Sequence, residues 1–583
     1  MAEARPEVAA KLAEALNVSP ILAQMLLNRG YENESSARWF LNAQLRDLRD
    51  PFEIPGMIGA VERTVKALEQ NESITLYGDY DVDGVTSVAI LNRVLSTLLG
   101  SQPSLLRTFL PDRLDEGYGL TSAGIDRCLA TGCPALLIAL DCGTNSKTEV
   151  CALREKGVDV LILDHHEPSD PAEPLALVNY KLGKEEGMWG AEYCTAGLVF
   201  KFCHALLKTL RSRDGRMKAT AMKIDLKEYL DLVALATVAD IAPLTGENRI
   251  LVRHGLRQMA STRWMGLKTL MRLAAVKNEP TGYDCGFRLG PRLNAAGRLE
   301  SAMASLNLLL SEKEEVAEDL ARQLDEINRQ RQQEEARVLA EAREDAITQI
   351  SGIRNPESGI QDQPLVLVLA RPGWHEGVVG IVASRLAREF YLPTFVIALD
   401  GEGDGRGSGR SVEGFNLAAA IEVTRSFLIR GGGHAMAAGI SLKAGQIEPW
   451  REALQEHAFE RLGGRRLRRT VRLDAEVRLS GLNLSLAEEL KNLEPCGVGS
   501  PRPLLIARKV EVAADPRRVG SEAQHLKLWL RQDGAAVDAI AFGRGNLPVG
   551  KGHQLDVVFE LECNEYQGQK KIQMNIREIA QAE

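Results

Sequence analysis

Three aspartates alternate within five residues in the segment Gly78-Asp79-Tyr80-Asp81-Val82-Asp83-Gly84. In extended chain, residues two apart lie about 6–7 Å from each other, so three like charges repel unless cations sit among them. Asp141 follows the apolar run 135–140 and precedes Cys142-Gly143, and Asp164 follows the run 158–163 and precedes His165 and His166. Asp240 closes the apolar stretch 230–239. A single aspartate at such a point is ordinarily a helix cap, but capping does not ask for three runs that all end this way. Hard carboxylate oxygens with one or two imidazoles suit Mn²⁺ or Mg²⁺ better than zinc. This many carboxylates suffices for two ions, which could bridge a phosphate and activate a water.

Elements must bring these residues together. The runs 74–77, 135–140 and 158–163 are too short for helices and lie between turn or charged residues, which predicts buried parallel strands. Strands alternating with helical stretches make an α/β sheet. Ligands bind outside the carboxyl ends of such strands, so Asp79, Asp141 and Asp164 would face one crevice. Residues 1–70 read as mixed helix and loop, with apolar spacing at Leu12, Leu16, Ile21 and Leu26, and the first 50 have no assigned task.

Between Gly297 and Gly352 there is neither glycine nor proline, and 311–350 is rich in helix formers. One helix of that length spans roughly 60 Å. Its apolar residues are sparse and hold no heptad across 330–337, so a mostly wet connecting helix fits better than a coiled coil. Strands are expected at 364–370 and 393–399 with a helix at 378–390 between them, a second and smaller α/β unit. An arginine cluster follows: Arg461, Arg465, Arg466, Arg468, Arg469 and Arg472. It reads either as local positive charge or as a solvated linker. Short strands at 471–479, 504–512, 525–530, 537–542, 555–561 and 572–576, with a helix at 485–492, suggest a small β-barrel.

The chain has 583 residues, 45% hydrophobic and 26% charged, which excludes a disordered or fibrous protein. Lys and Arg number 71 against 79 Asp and Glu, a net charge of −8, so any basic surface is local. Nine cysteines show no Cys-x-x-Cys pair, which points away from zinc clusters and disulfide frameworks toward a reduced, cytoplasmic protein. No apolar run approaches the ~20 residues of a membrane span, so no membrane association is expected. A phosphate-binding Gly-x-x-x-x-Gly-Lys-Ser/Thr element is missing, so no ATP-driven motor is expected.

Asp164-His165-His166, with the Asp79–Asp83 segment upstream, resembles the DHH phosphoesterase family. From about residue 50 to the end, the chain is similar to the branch formed by bacterial exonucleases that degrade single-stranded DNA from its 5′ end. Further matching segments are Pro111-Asp112-Arg113-Leu114-Asp115-Glu116-Gly117-Tyr118-Gly119-Leu120, the stretch 231–240 with Ile-Ala-Pro-Leu after it, and Pro291-Arg292-Leu293-Asn294-Ala295-Ala296-Gly297-Arg298. Gly407-Ser408-Gly409-Arg410-Ser411 and Gly431-Gly432-Gly433-His434 resemble the DHH-associated domain.

The resemblance implies Asp81, Asp83, Asp141, His165 and Asp240 as metal ligands, with Asp79 as a further member. His166 would contact the scissile phosphate, and Asp164 would join it in catalysis. Some relatives carry histidine where this chain has Tyr77, a poor ligand for these ions, which would leave the first metal site one protein ligand short. Ser408, Arg410, His434 and Arg298 would form a pocket for a 5′-terminal phosphate. Taken alone, 401–409 reads equally as a flexible surface loop. Arg113 would hold the neighbouring nucleotide by its phosphate and Tyr118 by stacking, against a bland reading of Tyr118 as loop packing. The barrel would be an OB-fold, its aromatics Trp529, Phe542, Phe559 and Tyr566 serving as core or as stacking surface.

The expected organisation is an N-terminal helical segment (1–50), a DHH catalytic domain (51–310), the connecting helix (311–350), a DHH-associated domain (351–465) and an OB-fold (466–583). The expected function is a 5′-to-3′ exonuclease on 5′-phosphorylated single-stranded DNA, acting in recombination and repair. It would release 5′-mononucleotides with two Mn²⁺ or Mg²⁺ ions, as a monomer supplied by a helicase and a single-strand-binding protein. Two rivals stand beside it: a phosphodiesterase of the same superfamily acting on short oligonucleotides or cyclic dinucleotides, and a non-catalytic single-strand-binding scaffold.

Overall fold

The computed structural model describes residues 5–582 except 113–115, 117–118, 184–191, 278, 300, 353–363 and 567–568. The chain forms two compact units. One comprises residues 1–111, 118–290 and 471–583, and the other residues 112–117 and 291–470.

The first unit is built on a parallel sheet of β1 (Ile74–Gly78), β2 (Leu106–Phe109), β3 (Leu136–Leu140), β4 (Asp159–Leu163) and β5 (Ala176–Val178), in spatial order β2-β1-β3-β4-β5. Every residue of β1 and β3 is buried, as expected of strands covered on both faces. The sequence reading did not foresee β2 and β5, which are four and three residues long. From β1 the chain turns first to one side and later to the other, so the switch point falls between β1 and β3, where Asp79 and Asp141 follow their strands. The turn out of β1 is too tight for side chains: a Cβ on Gly84 would stand 2.5 Å from the Asp79 carbonyl oxygen. Helix Val82–Leu99 is apolar and long enough to cross a membrane by composition alone, but 78% of it is buried in this fold.

Further along lie β6 (Leu367–Pro372), β7 (Thr394–Leu399), β8 (Asp404–Arg410), β9 (Arg430–Gly433), β10 (Ala437–Lys443), β11 (Ala475–Glu476), β12 (Leu505–Val512), β13 (Arg517–Val519), β14 (His525–Gln532), β15 (Ala535–Ala541), β16 (Gln554–Tyr566) and β17 (Gln569–Gln581). In the first unit, β12, β16, β17, β15 and β14 pair in that order and the β12–β14 pairing closes the ring, a five-stranded barrel of OB type. Of the strand expected at 471–479 only β11 forms. The N-terminal helices Pro6–Leu16, Pro20–Asn28 and Glu34–Asn42 share one core with this barrel, Leu22, Met25, Leu26 and Phe40 joining Leu493, Leu505 and Phe559. Arg29 pairs with Asp474 at 3.1 Å across that junction.

In the second unit, β6 to β10 form a mixed sheet in the order β6-β7-β8-β10-β9. Helix Glu314–Gly352 is as long as expected but not mostly wet. Val338, Leu339, Ala342 and Ala346 pack with Leu367, Trp374 and Val378. The buried stripe continues through polar residues, where Arg331 pairs with Glu335 at 2.7 Å and Asp325 with Arg292 at 2.9 Å.

Candidate metal centre and nuclease site

Asp79, Asp83, Asp141 and Asp164 are all buried at the carboxyl ends of the sheet or in the turn beyond. Water does not screen them, so their arrangement depends on protein donors. Asp81 caps helix Val82–Leu99, accepting from the Asp83 and Gly84 amides at 2.9 and 3.1 Å. Asp83 accepts from the Thr195 and Ala196 amides at 2.6 and 2.8 Å, at the amino end of helix Thr195–Ser212. That helix end is positive and favours a carboxylate. The Thr195 hydroxyl donates to Asp141 at 2.9 Å. Asp141 itself has a φ of 65°, a left-handed backbone that aspartate tolerates better than most side chains.

His165 brings the clusters together. Its Nε2 lies 3.5 Å from Asp141 Oδ1 and 3.8 Å from Asp240 Oδ2, the latter carried at the end of helix Leu230–Ala239. Three sets place ligand atoms within 4.8 Å of one another: Asp79, Asp81 and Asp141; Asp83, His165 and Asp240; Asp141, His165 and His166. The donor chemistry, mainly carboxylate oxygen with imidazole, fits hard divalent cations. Electrostatics points the same way. Burial and then the neighbouring carboxylates push Asp83 up to about 6 and Asp240 up to about 9, and hold Asp141 well above the usual carboxylate range. A cation would relieve that repulsion. Burial, with the charge of His166, lowers His165 to about 4, so its imidazole is neutral and able to ligate.

Asp164 and His166 form a separate pair. Asp164 accepts from the Thr144 amide at 3.0 Å and from the His166 amide at 3.2 Å, and sits 2.7 Å from His166 Nδ1. Burial opposes ionisation of both, yet their mutual hydrogen bond and charge hold Asp164 below the ordinary range and lift His166 above its own. Asp164 is therefore a positioning residue that orients the partly exposed ring of His166 through Nδ1, beside Asp141 and His165.

Tyr77 belongs to none of the cation sets. It is fully buried and stacked on Phe109 at 5.1 Å, and its hydroxyl donates to the Gly119 carbonyl at 3.3 Å.

In the second unit, Ser408 and Arg410 are not on a loop. They lie on β8, where Gly405, Gly407 and Gly409 face the core because no side chain fits: a Cβ on Gly409 would meet Phe395 at 2.4 Å. Ser408 and Arg410 project from the other face toward helix Glu376–Phe390, their Oγ and Nη2 lying 3.3 and 3.2 Å from the Cβ position of Gly380. Gly431–Gly433 also form a strand, β9, and exposed His434 follows it. Its amide donates to Ala437, which pairs with Arg410, so His434 and Arg410 share one end of this sheet. Arg113 and Tyr118 lie outside the described residues. Arg298 is in helix Gly290–Leu299. On the barrel Trp529 and Phe542 are exposed and Phe559 is fully buried, which divides the aromatics between surface and core. The arginines 465, 466, 468, 469 and 472 are exposed, and Arg472 bonds the Asn28 carbonyl. Sequence reasoning missed Thr195, Ala196 and Thr144.

A parallel sheet crowned by aspartates and an Asp-His-His turn, joined to a second α/β unit, defines a DHH phosphoesterase. Family models agree in order along the chain: the DHH family N-terminal domain matches residues 73–237, the DHHA1 domain 362–458 and the RecJ OB domain 473–578. The single-stranded-DNA-specific exonuclease RecJ of Bacillus subtilis is 34% identical over 578 residues, covering 98% of this chain and 69% of the relative. That of Haemophilus influenzae is 31% identical, covering 97% and 96%. The crystal structure of Thermus thermophilus RecJ in complex with Mn²⁺ matches with a TM-score of 0.82 at 28% identity, covering all of this chain and 79% of that one. The Mg²⁺ complex matches at 0.76 and 27%, covering all of this chain and 78% of that one. The chain belongs to the RecJ family of single-stranded-DNA-specific exonucleases.

Proposed function

We propose that this chain hydrolyses single-stranded DNA stepwise from a 5′-phosphorylated end, releasing 5′-mononucleotides. The observation that carries the reading is the grouping of Asp79, Asp81, Asp83, Asp141, His165 and Asp240 in sets whose ligand atoms lie within 4.8 Å of one another. A degenerate binding scaffold would have no reason to keep so many mutually repelling buried carboxylates.

Two Mn²⁺ or Mg²⁺ ions held by these six residues would supply Lewis acidity toward the phosphate and lower the pKa of a water. The chain's own groups do the rest. The Thr195 and Ala196 amides hold Asp83 in place, and the Thr195 hydroxyl holds Asp141, so the ligands are preorganised. His166, oriented by Asp164 and with its proton affinity raised by that carboxylate, contacts an oxygen of the scissile phosphate and, when protonated, donates a hydrogen bond that offsets the charge developing there. Ser408, Arg410, His434 and Arg298 take the 5′-terminal phosphate, with the forked guanidinium of Arg410 as its main partner. Arg113 and Tyr118 hold the next nucleotide, and the barrel tracks the strand beyond. In this reading the enzyme is a cytoplasmic monomer that relies on a helicase and a single-strand-binding protein for open strands in recombination and repair.

Asp141→Ala tests the metal-centre assignment. Cleavage of a 5′-phosphorylated single strand with Mn²⁺ is expected to fall by about three orders of magnitude or more, while the strand still binds. Cleavage near the wild-type rate would contradict the assignment.

A further inference from the structure

Phe287 is 67% exposed and Tyr283 53%, in a chain whose large apolar side chains are otherwise mostly buried. The two rings are stacked, with centroids 4.9 Å apart and planes 22° from parallel. Tyr283 sits on the short helix Gly282–Asp284 and Phe287 on the π-helical turn Cys285–Leu289 that continues it, a geometry frequent at functional sites. The guanidinium of Arg288 lies 5.9 Å from the Tyr283 ring and is held by Asp284 at 3.1 Å.

The turn that carries the pair packs beside the helix that ends in Asp240. A Cβ on Gly286 would be 3.5 Å from Val238, and one on Gly290 3.3 Å from Ala239, so the aromatic turn packs directly on the final residues before Asp240. Ile241, the next residue after Asp240, is itself 67% exposed and held at a φ of 61°, a costly state for a β-branched side chain. Val498 adds a fourth exposed apolar group, its carbonyl accepting from the Leu244 amide at 2.8 Å. Exposed apolar surface of this kind marks an interaction site. Stacked rings next to a guanidinium and a phosphodiesterase centre match the faces of unpaired bases better than a protein partner, since every base offers a π-face.

We propose that Tyr283 and Phe287 form a base-stacking platform for the DNA strand, on the turn packed against the helix that ends in Asp240. Bases within a duplex are already stacked and cannot use such a surface, so the platform favours single strands. This inference rests on the nuclease reading of the same site.

The test measures binding, in EDTA, of single strands carrying a 2-aminopurine reporter, with one abasic nucleotide stepped along the strand. Phe287→Leu keeps the apolar packing and removes the π-face, and Tyr283→Leu serves as a second variant should the first melt early. Wild-type affinity is expected to drop about tenfold when the abasic position meets the platform. Phe287→Leu should bind intact strands about tenfold more weakly and lose that abasic sensitivity. Variants that bind like wild type, or that keep the full abasic penalty, would overturn the platform. If wild type shows the penalty yet cleaves no strand with Mn²⁺, the platform stands and the nuclease reading falls.

Discussion

At the scale of single residues, the site combines groups that repel one another. Asp83 at about 6 and Asp240 at about 9 lie above their unfolded values near 4. The metal-free folded state therefore binds more protons than the unfolded chain across that interval. Its stability should fall as pH rises from about 4 toward 9. Cation binding displaces those protons, so Mn²⁺ affinity should climb over the same interval. Calorimetric titration in two buffers of different ionisation enthalpy would detect proton release at pH 7, and its absence would contradict the assigned ligands. The aspartates and histidines were legible in the sequence because their types and strand-end spacing are rare. Thr195 and Ala196 were not, since they act through amides at the start of a distant helix and carry no distinctive side-chain chemistry.

Among elements, β8 shows where pattern reading gives out. Its alternation of glycine with polar residues looks like a flexible loop, because the residues that face the core have no side chain to register as hydrophobic. The close approach of Phe395 and Ile397 requires those glycines. Gly409→Ala should therefore lower stability by about 1–3 kcal/mol in denaturant titration, because Phe395 is wedged between β8 and Trp450. No loss would mean the strand has room that the geometry denies. The long helix failed in a related way. Its buried stripe passes through Asp325, Asn328, Arg331 and Glu335, satisfied by ion pairs and by the hydrogen bond from Arg331 to Asn328, so a hydrophobic repeat could not reveal it. Strands β2 and β5 were too short to announce themselves, whereas β1, β3 and β4 emerged within about a residue of their observed limits.

Across the whole first unit, one arginine links parts that are far apart in sequence. Buried Arg249 donates to the Leu493 and Pro495 carbonyls at 2.9 and 3.0 Å, to those of Asn492 and Glu494 at 2.9 Å each, and to Phe40 at 3.1 Å. Its guanidinium also lies 3.8 Å from the Phe40 ring. Helix Gly246–Met259, the N-terminal helices and the segment leading into the barrel thus meet at one side chain, and the first 50 residues gain a structural task that composition alone could not assign. Arg249→Ala should destabilise the protein by about 3 kcal/mol, since the Phe40, Leu493 and Pro495 carbonyls it satisfies are buried. Arg249→Lys should recover only part of that, because an ammonium cannot fork across five acceptors. Full recovery by lysine, read from denaturation midpoints, would mean charge rather than geometry holds the junction. The proposed activity of the whole molecule is stepwise hydrolysis of single strands from the 5′ end. The most direct measurement is a gel time course on a 5′-phosphorylated single strand labelled at its 3′ end. It would run with Mn²⁺, with Mg²⁺ and with EDTA, beside a matched 5′-labelled strand and a duplex. A ladder shortening from the 3′-labelled strand, immediate mononucleotide release from the 5′ label, silence in EDTA and an intact duplex are expected. Internal cuts, shortening from the 3′ end, or cleavage confined to dinucleotides would contradict the account.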